Sequence, residues 1–272
     1  MTHHYFEHDL VKLSYYKFGD GPQPMLCFHG YGMHGRQFLP LEPVMGHRYT
    51  FYSFDLFFHE QTLLKENHIE RVKKGITSDE LCQIIFAFLE KEQLSRFSVI
   101  GYSMGSHYAA AIASQMAPQI DEWIVIAPMF LKPPVILEFL TRNRFGNQLF
   151  SWLLLKKSVA ESILKFAQRM RLFDQTIHDV LHKEIATPEL RFMMFASLTY
   201  IRNLRFSQKE LAKILNSAGV KNYFIFGTRD KLFPPSIART IMDSLSKTEY
   251  ISLDENHDMV NHNLAESLYS KL

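Results

Sequence analysis

Short, largely apolar runs recur along the 272-residue chain, and they constrain its fold more than any other feature. Each run has four to six residues, which suits a strand buried on both faces of a parallel sheet. Helical patterns separate several runs, as in Ser78–Glu92, which follows a Thr77-x-x-Glu80 capping box. This alternation predicts an α/β fold with a doubly wound, mostly parallel sheet. The runs are Met25–Phe28, Tyr49–Phe54, Phe97–Ile100, Trp123–Ala127, Tyr223–Phe226 and Tyr250–Leu253.

One stretch interrupts the alternation. Between residues 129 and 206 the apolar residues follow helical spacing, and no strand pattern is found. Thr187-Pro188-Glu189 has the order of a helix start, with an N-cap, a proline at the first helical position and an acid in the first turn. We therefore predict a core of residues 1–128 and 207–272, with a helical cap, 129–206, inserted into it. One stripe of this cap is Val159, Ile163, Phe166 and Met170.

The strongest chemical signal is a serine in a tight turn, Gly101-Tyr102-Ser103-Met104-Gly105. It lies between the strand pattern Phe97–Ile100 and a helical run, Tyr108–Met116. In this context G-x-S-x-G indicates a nucleophile elbow, because the turn is too sharp for side chains packed against it. The turn places the Ser103 hydroxyl at a helix N-terminus, whose dipole favours developing negative charge. The N–H of Met104 then points to where an oxyanion would form.

A serine nucleophile needs a base, and the base needs a carboxylate that orients it. In folds of this type the order along the chain is Ser, Asp, His. Asp230 follows the strand Tyr223–Phe226, at the carboxyl end where such sheets place ligands, and His257 follows the last strand. We expect Asp230 to be the acid, because the other candidates share the loop of the histidine. Those candidates are Asp254, Glu255 and Asp258.

A second oxyanion donor is expected from the loop after the first buried parallel strand. That loop contains Gly30, Gly32 and Gly35, and so many glycines suit a backbone that must approach the substrate closely. We predict that the N–H of Tyr31 is this donor. The glycines also spell G-x-G-x-x-G, with Asp55 at a spacing that fits dinucleotide binding. A serine mechanism accounts for more residues with one chemistry, so we prefer it.

These features resemble the α/β-hydrolase fold family, in its serine-nucleophile branch with a helical cap between strands six and seven. The resemblance covers nearly the whole chain, from the glycine-rich loop to the ordered acid and base. A serine nucleophile disfavours the epoxide hydrolases and haloalkane dehalogenases of this family, which have Asp at that position. The resemblance implies a catalytic triad and an oxyanion hole, formed by Ser103, Asp230 and His257 with the N–H groups of Tyr31 and Met104.

The chain departs from the family pattern at two places. Many members continue the elbow with another small glycine, whereas Ser106 and His107 follow here. After the fourth strand, members often have Asp-x-x-Gly-His-Gly-x-Ser. This chain keeps Asp55 and His59 but loses both glycines, so the resemblance does not imply the shape of this loop. The Tyr-Ser-Met elbow is also similar to that of the menaquinone-pathway lyase of this fold, which has an Arg at the position of His107.

The predicted function is a carboxylesterase-like serine hydrolase. It would cleave a small carboxylic ester or thioester through an acyl-enzyme on Ser103, and it would need no cofactor. Two alternatives stay open. A lyase or C–C bond hydrolase would use His257 as a base without a lasting acyl-enzyme. A non-catalytic small-ligand receptor would keep only the pocket, although every triad position is filled.

The charge balance bears on the partners. Lys and Arg number 30 and Asp and Glu 28, and a net charge of +2 gives no electrostatic argument for nucleic acid. The segment 129–206, however, has 12 Lys and Arg against 6 Asp and Glu, and it holds 9 of the 23 Phe. Our hypothesis is that it lines an apolar acyl pocket and that its basic face attracts an anionic or interfacial substrate. The simpler explanation, which we weight more, is solvated basic residues outside packed amphipathic helices.

Other signals are weak. Cys27 and Cys82 have neither disulfide nor metal-ligand spacing. No window approaches about 18 uninterrupted apolar residues, and the N-terminus lacks a signal-peptide pattern, so we expect no membrane span and a cytoplasmic location. Pairs of histidines lack a third ligand at useful spacing, and we expect no metal site. These pairs are His29 with His34, and His178 with His182.

Overall fold

A computed structural model describes residues 1–169 and 182–272 of the chain. Met170 of the predicted stripe and His178 of the histidine pair lie outside the described residues, as does part of the predicted cap. The chain divides into two compact units. The sheet unit comprises Met1–Glu66, Ile76–Lys132 and Leu204–Leu272, and the helical unit comprises Asn67–Gly75 and Pro133–Asn203.

The strands of the described residues form one sheet in the sheet unit. Each predicted apolar run lies within a strand or overlaps one. The strands are β1 (Thr2–Glu7), β2 (Val11–Phe18), β3 (Gln23–Phe28), β4 (Tyr49–Phe54), β5 (Leu63–Leu64), β6 (Phe97–Tyr102), β7 (Ile120–Ile126), β8 (Lys221–Gly227) and β9 (Thr248–Leu253).

The strand order is β1-β2-β4-β3-β6-β7-β8-β9, with β5 paired to β2. Neighbours from β4 to β9 are parallel, whereas β1 and β2 pair in antiparallel fashion. The predicted mostly parallel α/β sheet is confirmed. The register aligns the strand ends: Phe28 pairs with Gly101, and Gly227 pairs with Leu253. The segments that follow β3 and β6 therefore begin side by side, and so do those that follow β8 and β9.

Strand β1 was not expected from the sequence. It is an edge strand on β2, and of its six residues only Phe6 is buried. Its other side chains are mostly polar and exposed, so it contains no apolar run that would have marked it. Edge strands often have this character, because one side of the strand is unpaired.

Along the chain, helices follow most of the strands from β3 onward, as the predicted alternation requires. Helix Ser78–Glu92 begins with the predicted capping box: Thr77 Oγ1 accepts the Glu80 N–H at 3.1 Å, and Glu80 Oε2 accepts the Thr77 N–H at 3.0 Å. The helices are α1 (Glu42–Met45), α2 (Ile69–Lys74), α3 (Ser78–Glu92), α4 (Gly105–Met116), α5 (Val135–Arg142), α6 (Arg144–Leu155), α7 (Lys157–Arg169), α8 (Pro188–Tyr200), α9 (Gln208–Ala218), α10 (Arg239–Met242) and α11 (His262–Tyr269).

The helical unit contains α2 and α5 to α8, and no strand is assigned among its described residues. Helix α8 begins at Pro188 as predicted, with Thr187 Oγ1 accepting the Leu190 N–H at 3.2 Å. The unit starts at residue 133 and ends at 203, and it also takes in residues 67–75, which the predicted core of 1–128 included. That segment 129–206 acts as a cap stays a prediction. Among the described helices, none has both the length and the apolar character that crossing a membrane requires.

Candidate active site

Ser103 lies in a strained turn between β6 and α4. Its φ is +50°, a left-handed conformation that costs a non-glycine residue about 1–2 kcal/mol. The flanking glycines are required by close packing: a Cβ on Gly105 would stand 2.0 Å from the carbonyl oxygen of Phe28. A Cβ on Gly101 would stand 2.7 Å from the carbonyl oxygen of Gly105. Neighbouring backbone therefore packs so closely against the turn that a side chain larger than glycine would clash at either of these two positions.

His257 and Asp230 meet Ser103 from the other pair of strand ends. The Nε2 atom of His257 is 3.1 Å from Ser103 Oγ, and its Nδ1 atom is 2.8 Å from Asp230 Oδ2. Since a carboxylate can only accept, Nδ1 carries the proton and Nε2 is the acceptor that faces the serine hydroxyl. The structure therefore brings the three predicted triad side chains into one hydrogen-bonded chain.

The carboxylate of Asp230 is buried and held in place. Its Oδ1 atom accepts the N–H groups of Leu232 at 2.8 Å and Phe233 at 3.2 Å. Burial alone would raise the pKa of Asp230, but the hydrogen bond and charge of His257, together with these N–H groups, outweigh burial and lower the pKa. The carboxylate is therefore ionised and acts as a fixed acceptor for the imidazole.

The rival carboxylates on the histidine loop have other partners. Asp254 contacts Thr228 Oγ1 at 3.1 Å and Arg229 Nε at 3.3 Å. Glu255 accepts from the side-chain amides of Asn261 and Asn263. Neither makes the contact with the imidazole that Asp230 makes.

The two predicted oxyanion donors belong to segments that lie close to the serine. Met104 is buried and immediately precedes α4. Tyr31 lies in the loop after β3, and the neighbouring Gly30 comes so close to the elbow that a Cβ there would stand 3.6 Å from Ser103 Cβ and 2.8 Å from the ring of Tyr102. The loop that carries Tyr31 therefore runs directly beside the nucleophile. The roles of the two N–H groups stay predictions.

Tyr102 is a site residue that the sequence did not single out. Its hydroxyl donates to the carbonyl oxygen of His257 at 2.5 Å, and the two rings lie 5.3 Å apart. Burial, followed by the charges of Asp258 and Asp230, raises the pKa of Tyr102, so the phenol stays protonated and remains a donor. The middle position of G-x-S tolerates many residues, and no spacing links it to a loop more than 150 positions away.

The loop after β4 has a left-handed backbone at the two positions where the family pattern has glycine. Phe58 and Glu60, on either side of His59, have φ values of +66° and +46°, which glycine would adopt more easily. Asp55 is fully buried and accepts the Gly35 N–H at 2.8 Å. Phe58 and Glu60 therefore adopt the conformation that glycine favours, although neither is glycine.

The discounted sites differ from this one in geometry. The G-x-G-x-x-G loop leads into a 3₁₀ helix, Gly35–Leu41, and not directly into the α-helix that a dinucleotide motif needs. His107, at the position where the menaquinone-pathway lyase of this fold has Arg, is buried on α4, with Nδ1 3.1 Å from the carbonyl oxygen of Leu204. Within residues 1–169 and 182–272, no cluster of three or more His, Cys, Asp or Glu side chains is arranged to hold a metal ion.

A sequence comparison places the chain in a family. The family model described as serine aminopeptidase, S33, matches residues 23–260. The chain belongs to this family of α/β hydrolases. No curated protein sequence matches this α/β hydrolase.

Solved structures share the fold of this α/β hydrolase over nearly its whole length. An esterase from Thermogutta terrifontis is 11% identical, with a TM-score of 0.71 and coverage of 100% of this chain and 98% of that one. An α/β hydrolase, MGS-M2, from a Medee basin deep-sea metagenome library is 13% identical, with a TM-score of 0.70 and coverage of 98% and 95%. The thioesterase domain from the curacin biosynthetic pathway is 18% identical, with a TM-score of 0.66 and coverage of 100% and 98%. Identities this low establish the fold alone.

Proposed function

We propose that this α/β hydrolase is a serine hydrolase that cleaves a small carboxylic ester or thioester through an acyl-enzyme. The observation that carries the proposal is the hydrogen-bonded chain from Ser103 Oγ through His257 to Asp230, with distances of 3.1 and 2.8 Å. A hydroxyl becomes an effective nucleophile when a base accepts its proton and a carboxylate orients that base. Both distances fall within hydrogen-bond reach.

The mechanism follows from the atoms in place. His257 Nε2 takes the Ser103 proton while Oγ attacks the acyl carbon, and the negative charge moves to the carbonyl oxygen. The N–H groups of Tyr31 and Met104 would hold that oxygen, and Asp230 stabilises the imidazolium. His257 then gives its proton to the departing alcohol or thiol, leaving an acyl ester on Ser103. Water, activated by the same histidine, attacks this ester and releases the acid and the free serine.

Support for ester or thioester bonds comes from the nucleophile and from the similar structures. A serine favours acyl transfer over the Asp-dependent epoxide chemistry of other family branches. Similar structures include an esterase and a thioesterase domain, although others are described as candidate epoxide hydrolases. The family description, serine aminopeptidase, adds amide cleavage as a second candidate, since the same intermediate serves both bonds.

An anionic substrate is a finer proposal, and a basic cavity supports it. Within the helical unit a cavity of about 590 Å³ has four cationic lining residues, whereas Glu70, its only acidic one, already pairs with Lys73 at 3.8 Å. Such a surplus of positive charge raises the local concentration of anions. The cavity is lined by Glu70, Lys73, Lys74, Arg144, Asn147, Gln148 and Arg202.

A substrate panel tests the proposed function. We expect p-nitrophenyl esters and acyl thioesters to be hydrolysed, with kcat/KM depending on acyl length, and we expect Ser103→Ala to abolish turnover. Aminoacyl p-nitroanilides test the aminopeptidase candidate. A lyase would barely turn over any of these compounds, and a receptor would bind them unchanged. Turnover that survives in Ser103→Ala would contradict the acyl-enzyme.

A further inference from the structure

The peptide group between Gly30 and Tyr31 is held from several sides. Its carbonyl oxygen lies 2.7 Å from His29 Nδ1 and accepts the Met33 N–H at 3.2 Å. The chain contains no cis peptide bond among its described residues, so the N–H of Tyr31 points opposite to this carbonyl. Whatever fixes the Gly30 carbonyl therefore also fixes the direction of the Tyr31 N–H.

His29 is a donor of fixed tautomer to this carbonyl. Its Nε2 atom accepts the backbone N–H of Leu56 at 2.9 Å, so in the neutral ring the proton sits on Nδ1, facing Gly30. The side chain is fully buried, and burial, together with the nearby His59, lowers the pKa of His29 well below its usual value. The ring therefore stays neutral and keeps this arrangement.

His59 holds the other end of the same loop. Its Nε2 atom accepts the N–H of Gly32 at 3.1 Å, and its Nδ1 atom, 3.0 Å from the carbonyl oxygen of Phe57, carries the proton. Burial lowers the pKa of His59, although the bond to Phe57 opposes the shift. A protonated ring would turn Nε2–H against the Gly32 N–H, so the contact requires the neutral form.

The backbone around His59 is strained, and the contact with Gly32 gives a reason for the strain. Phe58 and Glu60 adopt left-handed φ values that non-glycine residues avoid. Strain of this kind persists only where the surrounding structure over-determines the conformation, and it clusters at functional sites. Here the two strained residues bracket the histidine whose Nε2 reaches the loop carrying Tyr31.

We propose that His29 and His59 are positioning residues that fix the direction of the Tyr31 N–H from both ends of the Gly30–Gly32 loop. The inference rests on the proposed function, in which that N–H stabilises the oxyanion. Neither histidine touches the reacting atoms. Their effect is on the transition state, because the oxyanion exists only there, and ground-state binding should be untouched.

Two amide substitutions at one position separate the two contacts of His59. In His59→Gln the amide oxygen can occupy the place of Nε2 and accept from Gly32. In His59→Asn the shorter amide reaches only the place of Nδ1, so the bond to Phe57 is kept and the bond to Gly32 is lost. We expect the Gln variant to keep kcat within about threefold and the Asn variant to lose about tenfold or more, with KM unchanged, since a lost oxyanion donor costs about 10²–10³ in kcat.

The measurement is kcat and KM on p-nitrophenyl acetate, together with inhibition by phenylboronic acid, which forms a tetrahedral adduct with serine. Inhibition by phenylboronic acid should weaken in His59→Asn in parallel with the fall in kcat, and it should stay unchanged in His59→Gln. Glu60→Gly serves as a control that relieves strain, and it should keep kcat and raise Tm. The proposal would be overturned if folded His59→Asn had the same kcat as the wild type.

Backbone hydrogen exchange supplies a readout that does not depend on turnover. The Gly32 N–H should be protected in the wild type and in His59→Gln, and it should exchange faster in His59→Asn. If the wild type hydrolyses no ester, the proposed function fails, and exchange alone then decides whether the histidine holds the loop. Equal exchange in all three proteins would overturn that contact.

Discussion

The sheet unit and the helical unit differ in how completely they bury their large side chains. In the sheet unit Trp123, Phe224 and Phe226 are fully buried. In the helical unit Phe195 and Tyr200 are also fully buried, and a small cluster of Ala160, Leu164 and Ile185 is buried, yet seven large apolar side chains between residues 133 and 169 are exposed. Those side chains are Val135, Ile136, Phe139, Phe145, Trp152, Ile163 and Phe166.

This difference shows where the chemistry is specified. Parallel strands with paired registers fix the ends of β3, β6, β8 and β9, and every candidate catalytic group follows one of those ends. The described residues of the helical unit contain no strand, so no paired register fixes positions there, and several of its large apolar side chains are exposed. We expect changes in the sheet unit to affect turnover and stability strongly, and changes in the helical unit to affect substrate preference weakly.

The largest expected effect is the loss of kcat when Ser103 of the sheet unit is replaced, compared with no loss at a serine of the helical unit. Ser103→Ala should lower kcat for p-nitrophenyl esters by about 10⁶-fold, because it removes the nucleophile. Asp230→Asn should lower kcat by about 10⁴-fold by leaving His257 without its orienting acceptor. Ser162→Ala, at an exposed serine of α7 whose hydroxyl donates to the Ser158 carbonyl, should change nothing. Steady-state kinetics measure all three, and a large loss in Ser162→Ala would break the comparison between units.

Two phenylalanines give the next contrast, in stability. Phe224→Ala creates a cavity in the fully buried centre of the sheet and should lower the free energy of unfolding by about 3–5 kcal/mol. Phe145→Ala removes a side chain that is 73% exposed and should stay within about 0.5 kcal/mol of the wild type. Urea unfolding followed by circular dichroism measures both. Equal losses would mean that the helical unit packs as tightly as the sheet unit.

A smaller effect is expected at the hydroxyl of Tyr102. Tyr102→Phe removes the hydrogen bond to the His257 carbonyl but keeps the ring, so His257 would be held less firmly. We expect kcat to fall about two- to tenfold, the worth of one net hydrogen bond, with KM unchanged. A change confined to KM would instead place Tyr102 in substrate binding.

The smallest effect should come from charge in the helical unit. Reversing Lys74 and Arg144 to Glu should lower kcat/KM for an anionic ester about threefold at low salt, and added salt should reduce the difference because it screens the field. A neutral ester should be unaffected, and reversal of Lys165, outside the cavity, is the matched control. Unchanged kcat/KM for the anionic ester would remove the anionic-substrate proposal.

Much of the sheet unit could be predicted from the sequence because its signals are local. Apolar runs marked the parallel strands, and a capping box marked the start of α3. The proposed serine, acid and base were chosen by their positions after strands, which the parallel fold brings to one edge. Asp230 was separable from Asp254 because the latter shares the loop of the histidine.

What the sequence did not reveal depends on contacts between distant segments. The bond from Tyr102 to His257 joins positions that no pattern relates. Residues 67–75 belong to the helical unit although they precede the predicted cap by more than fifty positions, since only packing decides unit membership. The left-handed backbone at Phe58 and Glu60 runs against the preference of those residue types, so local propensity predicts the opposite.

The most direct test of the central claim is covalent labelling of the native protein with a fluorophosphonate, followed by mass spectrometry of the adduct. Activation of the Ser103 hydroxyl by His257 predicts a single adduct on Ser103, formed slowly in Asp230→Asn and absent after denaturation. Failure of the folded protein to label at Ser103, or labelling spread over other serines, would contradict the claim that this site holds an activated nucleophile.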